Sequence, residues 1–184
     1  MILFLSPAKK RALLETLHHV AEFLPLKEAV FQKFPIPTAA GDYFGFQIIL
    51  EGGVKKEKRN KEKGFRFLAT IELPKRFKGR IFLQNERRKT SLKPIAGLKL
   101  VHTSVKKFDE QFLLLADDEE LAASVFQPYL CEKIISIPET HWQLDVHRKE
   151  AHFEVWQAFL NAKNIAELLR LIVETLNAAL VRSS

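Results

Sequence analysis

Residues 65–73 read Phe65-Arg-Phe-Leu-Ala-Thr-Ile-Glu-Leu73, and this stretch decides the fold class. Apolar side chains occupy every second position, and three of the four positions between them are polar. Because side chains alternate between the two faces of a β-strand, the pattern predicts a strand with one face buried more deeply than the other. Short segments rich in β-branched and aromatic residues surround it, at 43–50, 80–84, 98–105 and 111–116. The middle of the chain is therefore expected to form a β-sheet.

Helical patterns frame these strands. An apolar stripe with helical spacing follows Ser6-Pro7. A second helix is expected after a capping Asp117 or Asp118, and Pro128 should bend or restart it. The chain ends on a long apolar stripe, for which Asn164 is the expected cap. With residues 141–157 as a β-hairpin and no regular βαβ alternation, we expect one α+β domain over residues 1–184. Its mainly antiparallel sheet should have about six to seven strands, with an N-terminal, a middle and a long C-terminal helix.

Composition excludes several classes of protein. The chain has 184 residues, of which 47% are hydrophobic and 28% charged, so a disordered or fibrous chain is excluded. A single cysteine, Cys131, excludes an internal disulfide and a cysteine-rich zinc site. No apolar run reaches the roughly 20 residues of a membrane-spanning helix. The default expectation is a cytoplasmic location, with membrane association left open, and no cofactor is predicted.

Three segments resemble a bacterial family named domain of unknown function 3137. They are Phe108-Asp-Glu-Gln-Phe112 with the following apolar strand and Asp117, then Ile71-Glu-Leu-Pro-Lys-Arg-Phe77-Lys-Gly79, and the closing Ile172-Val-Glu-Thr-Leu-Asn177. The similarity spans roughly residues 41–177. The resemblance implies no catalytic residue, cofactor or substrate. Longer members of that family place paired membrane segments before this domain, so the resemblance leaves the location of this chain open.

Positive charge is concentrated in one region. Residues 55–93 hold 15 basic and four acidic residues, a local balance of +11, whereas the whole chain carries +7. Such a region predicts binding to phosphates, anionic headgroups or an acidic protein. The alternative is a solvated loop that keeps the protein soluble and protects sheet edges. The candidate anion-binding residues are Lys55, Lys56, Lys58, Arg59, Lys61, Lys63, Lys75, Arg76, Lys78, Arg80, Arg87 and Arg88.

The late hairpin offers a second candidate site. If its turn has two or four residues within 148–151, His147 faces His152 and Asp145 faces Glu154 on one face. Two imidazoles and two carboxylates form a possible set of ligands for a divalent metal. The alternative is a solvated polar face, which gives ligands little convergence.

These patterns favour a non-enzymatic binding or assembly module. Its basic region would engage an acidic partner such as an anionic membrane surface or an acidic protein, and the flank of the last helix, at Leu171, leaves room for a homodimer. A metal-dependent enzyme that uses the hairpin is one alternative. A nucleic-acid-binding domain is another, although no recognised nucleic-acid motif is present.

Overall fold

The computed structural model describes residues 7–32, 36–55, 64–85, 95, 97–137, 141–157 and 161–182. These ranges contain five helices and nine strands. The helices are α1 (Pro7–Phe23), α2 (Lys106–Gln111), α3 (Glu119–Val125), α4 (Pro128–Ser136) and α5 (Ala162–Arg182). The strands are β1 (Lys27–Gln32), β2 (Thr38–Tyr43), β3 (Phe46–Lys55), β4 (Gly64–Glu72), β5 (Arg80–Asn85), β6 (Lys99–Leu100), β7 (Phe112–Ala116), β8 (His141–His147) and β9 (Glu150–Gln157).

All nine strands belong to one antiparallel sheet, in the order β1-β2-β3-β4-β9-β8-β5-β7-β6. The α+β class and the antiparallel sheet are confirmed, but the expected six to seven strands were too few. The sequence signal was weak in β2 because two of its three buried positions, Ala39 and Gly41, have small residues. A Cβ atom at Gly41 would lie 2.9 Å from the Lys27 carbonyl oxygen, so the close approach of β1 leaves no room for a larger side chain.

The helices pack on one face of the sheet and bury its apolar side chains. Strand β4 points Phe67, Ala69 and Ile71 into this core, as the alternating pattern predicted. Trp142 of β8 is only 2% exposed, and its ring lies 5.6 Å from that of Phe112 and 5.8 Å from that of Phe153. The opposite face of the sheet carries the polar residues of the same strands. No helix in the described ranges has both the length and the apolar character needed to cross a bilayer.

The starts of α3 and α4 agree with the sequence-based prediction, and the start of α5 does not. The Asp118 side chain accepts a hydrogen bond from the Leu121 amide and caps α3, and α4 begins at Pro128, as expected. The long C-terminal helix is also confirmed, but its cap differs. The side chain of Asn161, and not that of Asn164, accepts a hydrogen bond at the start of α5, because the helix begins three residues earlier than the apolar stripe indicates.

The turn of the β8–β9 hairpin lies one residue earlier in the chain than expected. His147 pairs with Glu150, and only Arg148 and Lys149 form the turn. Arg148 has a φ of 57°, in the left-handed region that two-residue hairpin turns require. The predicted pairs of His147 with His152 and of Asp145 with Glu154 are therefore wrong. Parity is unchanged, so the same side chains still share the polar face.

Candidate anion-binding surface

One end of the sheet gathers three connections between strands. Near this end, a single row of paired residues crosses five strands, and it consists of Gln47, Glu72, Glu150, His147 and Arg80. Just beyond the row lie the Phe44–Gly45 turn, the 73–79 connection and the Arg148–Lys149 turn. We call this part of the molecule the turn end.

Two of these connections are hydrogen-bonded to each other. The Phe77 amide donates to the Arg148 carbonyl oxygen at 2.6 Å, and the Leu73 amide donates to the Lys149 carbonyl oxygen at 2.7 Å. Phe77 is buried, so its side chain ties the connection to the core. The bonds bring together five exposed cationic residues, which we call the basic corner: Lys75, Arg76, Lys78, Arg148 and Lys149.

Arg80, one of the predicted anion-binding residues, forms an ion pair with Asp145 of this chain. Its guanidinium donates from Nε and Nη2 to the two carboxylate oxygens of Asp145, at 3.0 and 2.7 Å. This hydrogen bonding raises the pKa of Arg80. Its backbone amide also donates to the Asp117 carboxylate at 2.8 Å. Arg80 therefore fixes the position of the basic corner and does not itself present a free charge.

The predicted basic region does not form one surface within the described residues. Lys55 pairs with Gly64, whereas the 73–79 connection follows the opposite end of β4. A nine-residue strand spans about 30 Å, so Lys55 lies far from the basic corner. The remaining predicted residues lie outside the described ranges: Lys56, Lys58, Arg59, Lys61, Lys63, Arg87 and Arg88. Of the predicted anion-binding residues, the structure places Lys75, Arg76 and Lys78 in the basic corner.

Three of the hairpin's four predicted metal ligands are bonded to other side chains. Asp145 accepts from Arg80, and Glu154 accepts from Arg66 Nε at 2.7 Å and from Gln143 Nε2 at 3.2 Å. His152 Nε2 lies 3.1 Å from a Glu150 carboxylate oxygen, and His147 is exposed beside Glu150. In the ranges that the structure describes, no three such side chains are grouped to hold a metal ion. The arginines neutralise the carboxylates and thereby stabilise this face of the sheet.

Acidic side chains border the basic corner at the start of α3, and the exposed Glu72 and Glu150 lie next to it in the row of paired residues. Strand β7 ends beside β5, and the exposed residues that follow it are Asp117, Asp118, Glu119 and Glu120. The turn end is therefore divided into a cationic part near the β8–β9 turn and an anionic part at the start of α3. In the described part of the chain, no ion pair neutralises Arg76, Arg148 or Lys149. An anionic surface would contact the cationic part of the turn end, near the β8–β9 turn.

Sequence reasoning missed Arg148 and Lys149. Both belong to a different segment from residues 55–93, and they join the basic corner only because β9 pairs with β4 and β8 pairs with β5. Two adjacent cations in a predicted hairpin turn were the available signal.

Cys131 is buried as expected, and burial raises the pKa of its thiol to about 11, which leaves it un-ionised at neutral pH. Leu171, the expected dimer contact, is buried within this chain.

Comparisons with known proteins bear on the fold. No protein-family model matches the chain, and no curated protein matches its sequence. The crystal structure of the mycobacterial trehalose monomycolate transport factor A is similar, with a TM-score of 0.58 over 94% of this chain and 95% of that chain. The two chains share a fold. Their sequence identity is 7%, so the similarity is one of architecture alone.

Proposed function

We propose that this chain is a non-enzymatic docking module that binds an anionic membrane surface through its basic corner. The observation that carries the proposal is the hydrogen-bonded pair of connections that presents five exposed cations at one end of the sheet. Backbone hydrogen bonds hold these two connections together, so little conformational freedom of the backbone would be lost when the cations meet a surface.

The expected strength of such binding is moderate and dependent on salt. Each lysine or arginine near an anionic bilayer contributes about 1 kcal/mol, so five give at most about 5 kcal/mol, and the exposed Glu72 and Glu150 beside them reduce this sum. The attraction falls off within a Debye length, about 8 Å at physiological ionic strength. The acidic residues 117–120 favour an orientation in which the β8–β9 turn is nearest to the lipid.

Two further observations support binding over catalysis. Asp145 and Glu154, the carboxylates that were predicted to face each other, are bonded to Arg80 and Arg66 and are not paired with each other for proton transfer. At the level of fold alone, a similar solved structure is that of a protein named a transport factor, a name that describes no chemical reaction.

Sedimentation with vesicles tests the proposal on the native chain. We expect binding to vesicles that contain phosphatidylglycerol and none to vesicles of phosphatidylcholine alone, with release at high salt. Equal binding to both kinds of vesicle, or none to either at low salt, would overturn it. Salt-sensitive retention on polyglutamate without any vesicle binding would instead favour an acidic protein as the partner.

Neutralising the β8–β9 turn is expected to weaken vesicle binding about 30-fold, because two cations at about 1 kcal/mol each are lost. The variant is Arg148→Gly with Lys149→Ser, and glycine tolerates the positive φ at position 148. Lys106→Gln with Lys107→Gln removes the same charge from α2, which leads into the opposite end of β7. The control variant should bind almost as the native chain does. Equal losses would show that net charge, and not the basic corner, drives binding.

A further inference from the structure

The tip of the β2–β3 hairpin carries an exposed aromatic residue, Phe44, whose backbone has a conformation that phenylalanine rarely adopts. Phe44 has a φ of 54° and Gly45 a φ of 80°, the left-handed pair found in type I′ turns. Asparagine is the usual residue at the first of these positions, and a bulky side chain there is an outlier. Phe44 is nevertheless 66% exposed, so burial in the core does not compensate for the strain.

Neighbouring groups hold this tip in place. The Asp42 carboxylate accepts a hydrogen bond from the Gly45 amide at 3.2 Å. The ring of Tyr43, which is buried, meets the Phe44 ring edge-on at a centroid distance of 4.8 Å. The phenylalanine is therefore presented on a well-defined turn. Strained residues that persist in this way are concentrated at functional sites.

Phe44 lies at the same end of the sheet as the basic corner. Gln47, at the start of β3, pairs with Glu72, and Glu72 pairs with Glu150 beside the β8–β9 turn. Strands β3, β4 and β9 are neighbours, with about 4.8 Å between adjacent strands. The Phe44–Gly45 and Arg148–Lys149 turns are thus separated across the sheet by about 15 Å. A flat surface that meets one turn is within reach of the other.

We infer that Phe44 is an apolar anchor that inserts into the interface of the anionic membrane bound by the basic corner, an inference that rests on the proposed function. Cations alone hold a protein at the headgroups, and an aromatic ring that enters the acyl boundary adds apolar burial. The strained turn keeps the ring pointing out of the protein, where it gains nothing from the core. The tip and the basic corner would then contact the bilayer together.

Replacing Phe44 with asparagine separates anchoring from folding. Phe44→Asn creates an Asn-Gly turn, so we expect a higher melting temperature together with about tenfold weaker binding to phosphatidylglycerol vesicles. Leu100→Asn is the matched control, because Leu100 is 52% exposed but lies on β6, six strands away from β3. That variant should bind as the native chain does. Native-strength binding by Phe44→Asn would overturn the anchor.

A second measurement reports the position of the ring directly. In Phe44→Trp, brominated lipids should quench tryptophan emission beyond the quenching seen in the native chain, and Leu100→Trp should add no quenching. If Phe44→Trp binds vesicles and shows no added quenching, insertion is refuted but the proposed function stands. Failure of the native chain to bind anionic vesicles at all would remove the proposed function and the anchor with it.

Discussion

Reversing two charges of the basic corner, in Lys75→Glu with Arg76→Glu, is expected to abolish binding to phosphatidylglycerol vesicles. Each reversal removes a favourable charge and adds a repulsive one, so the two substitutions together change the net charge by four units. At about 1 kcal/mol each, these lower the partition coefficient about 1,000-fold. Both side chains are exposed, so the free energy of unfolding should stay within about 0.5 kcal/mol of the native value. Vesicle sedimentation and urea denaturation measure the two quantities.

The matched control for this reversal is Lys106→Glu with Lys107→Glu. It gives the chain the same net charge but changes α2, far from the turn end. Long-range attraction to the vesicle should weaken somewhat, and binding should remain measurable. If both double variants lose binding to the same extent, the basic corner has no special part in docking.

Truncating the central aromatic side chain of the sheet should have the largest effect on stability. Trp142→Ala is expected to cost about 3–5 kcal/mol, because the vacated space lies between the rings of Phe112 and Phe153 and would not be filled by collapse. That cost is a large fraction of the roughly 5–15 kcal/mol by which domains are typically stable. Equilibrium urea unfolding, followed by circular dichroism, measures the change.

Tyr129→Ala serves as its control. Tyr129 is 69% exposed at the start of α4, so losing its ring should cost less than about 1 kcal/mol. If Trp142→Ala lowers the free energy of unfolding no more than Tyr129→Ala does, the β8 side of the core contributes little to the stability of the fold.

Local sequence signals predicted the elements whose stability is also local. The alternation around Phe67 identified β4 because that strand has one buried and one polar face. Asp118 identified the start of α3 because its carboxylate accepts a bond from an amide three residues away. In both places the residues that determine the structure are close together in the chain.

The register and the site depended on contacts between distant segments. A two-residue turn places His147 opposite Glu150, and its strained φ at Arg148 gives no clear signal in an Arg-Lys pair. The backbone bonds from Leu73 and Phe77 to that turn join segments that are far apart in the chain, and no local pattern encodes them. The basic residues were recognised from composition, but which of them share a surface was decided by the pairing of β4 with β9.

Amine labelling of the native chain, with and without phosphatidylglycerol vesicles, tests the docking surface most directly. Mass spectrometry gives the modification rate of each lysine, and no substitution is needed. We expect the vesicles to slow modification at Lys75, Lys78 and Lys149 and to leave Lys106 and Lys107 unchanged. Protection at Lys106 and Lys107 with full reactivity at the basic corner would contradict the proposed docking surface.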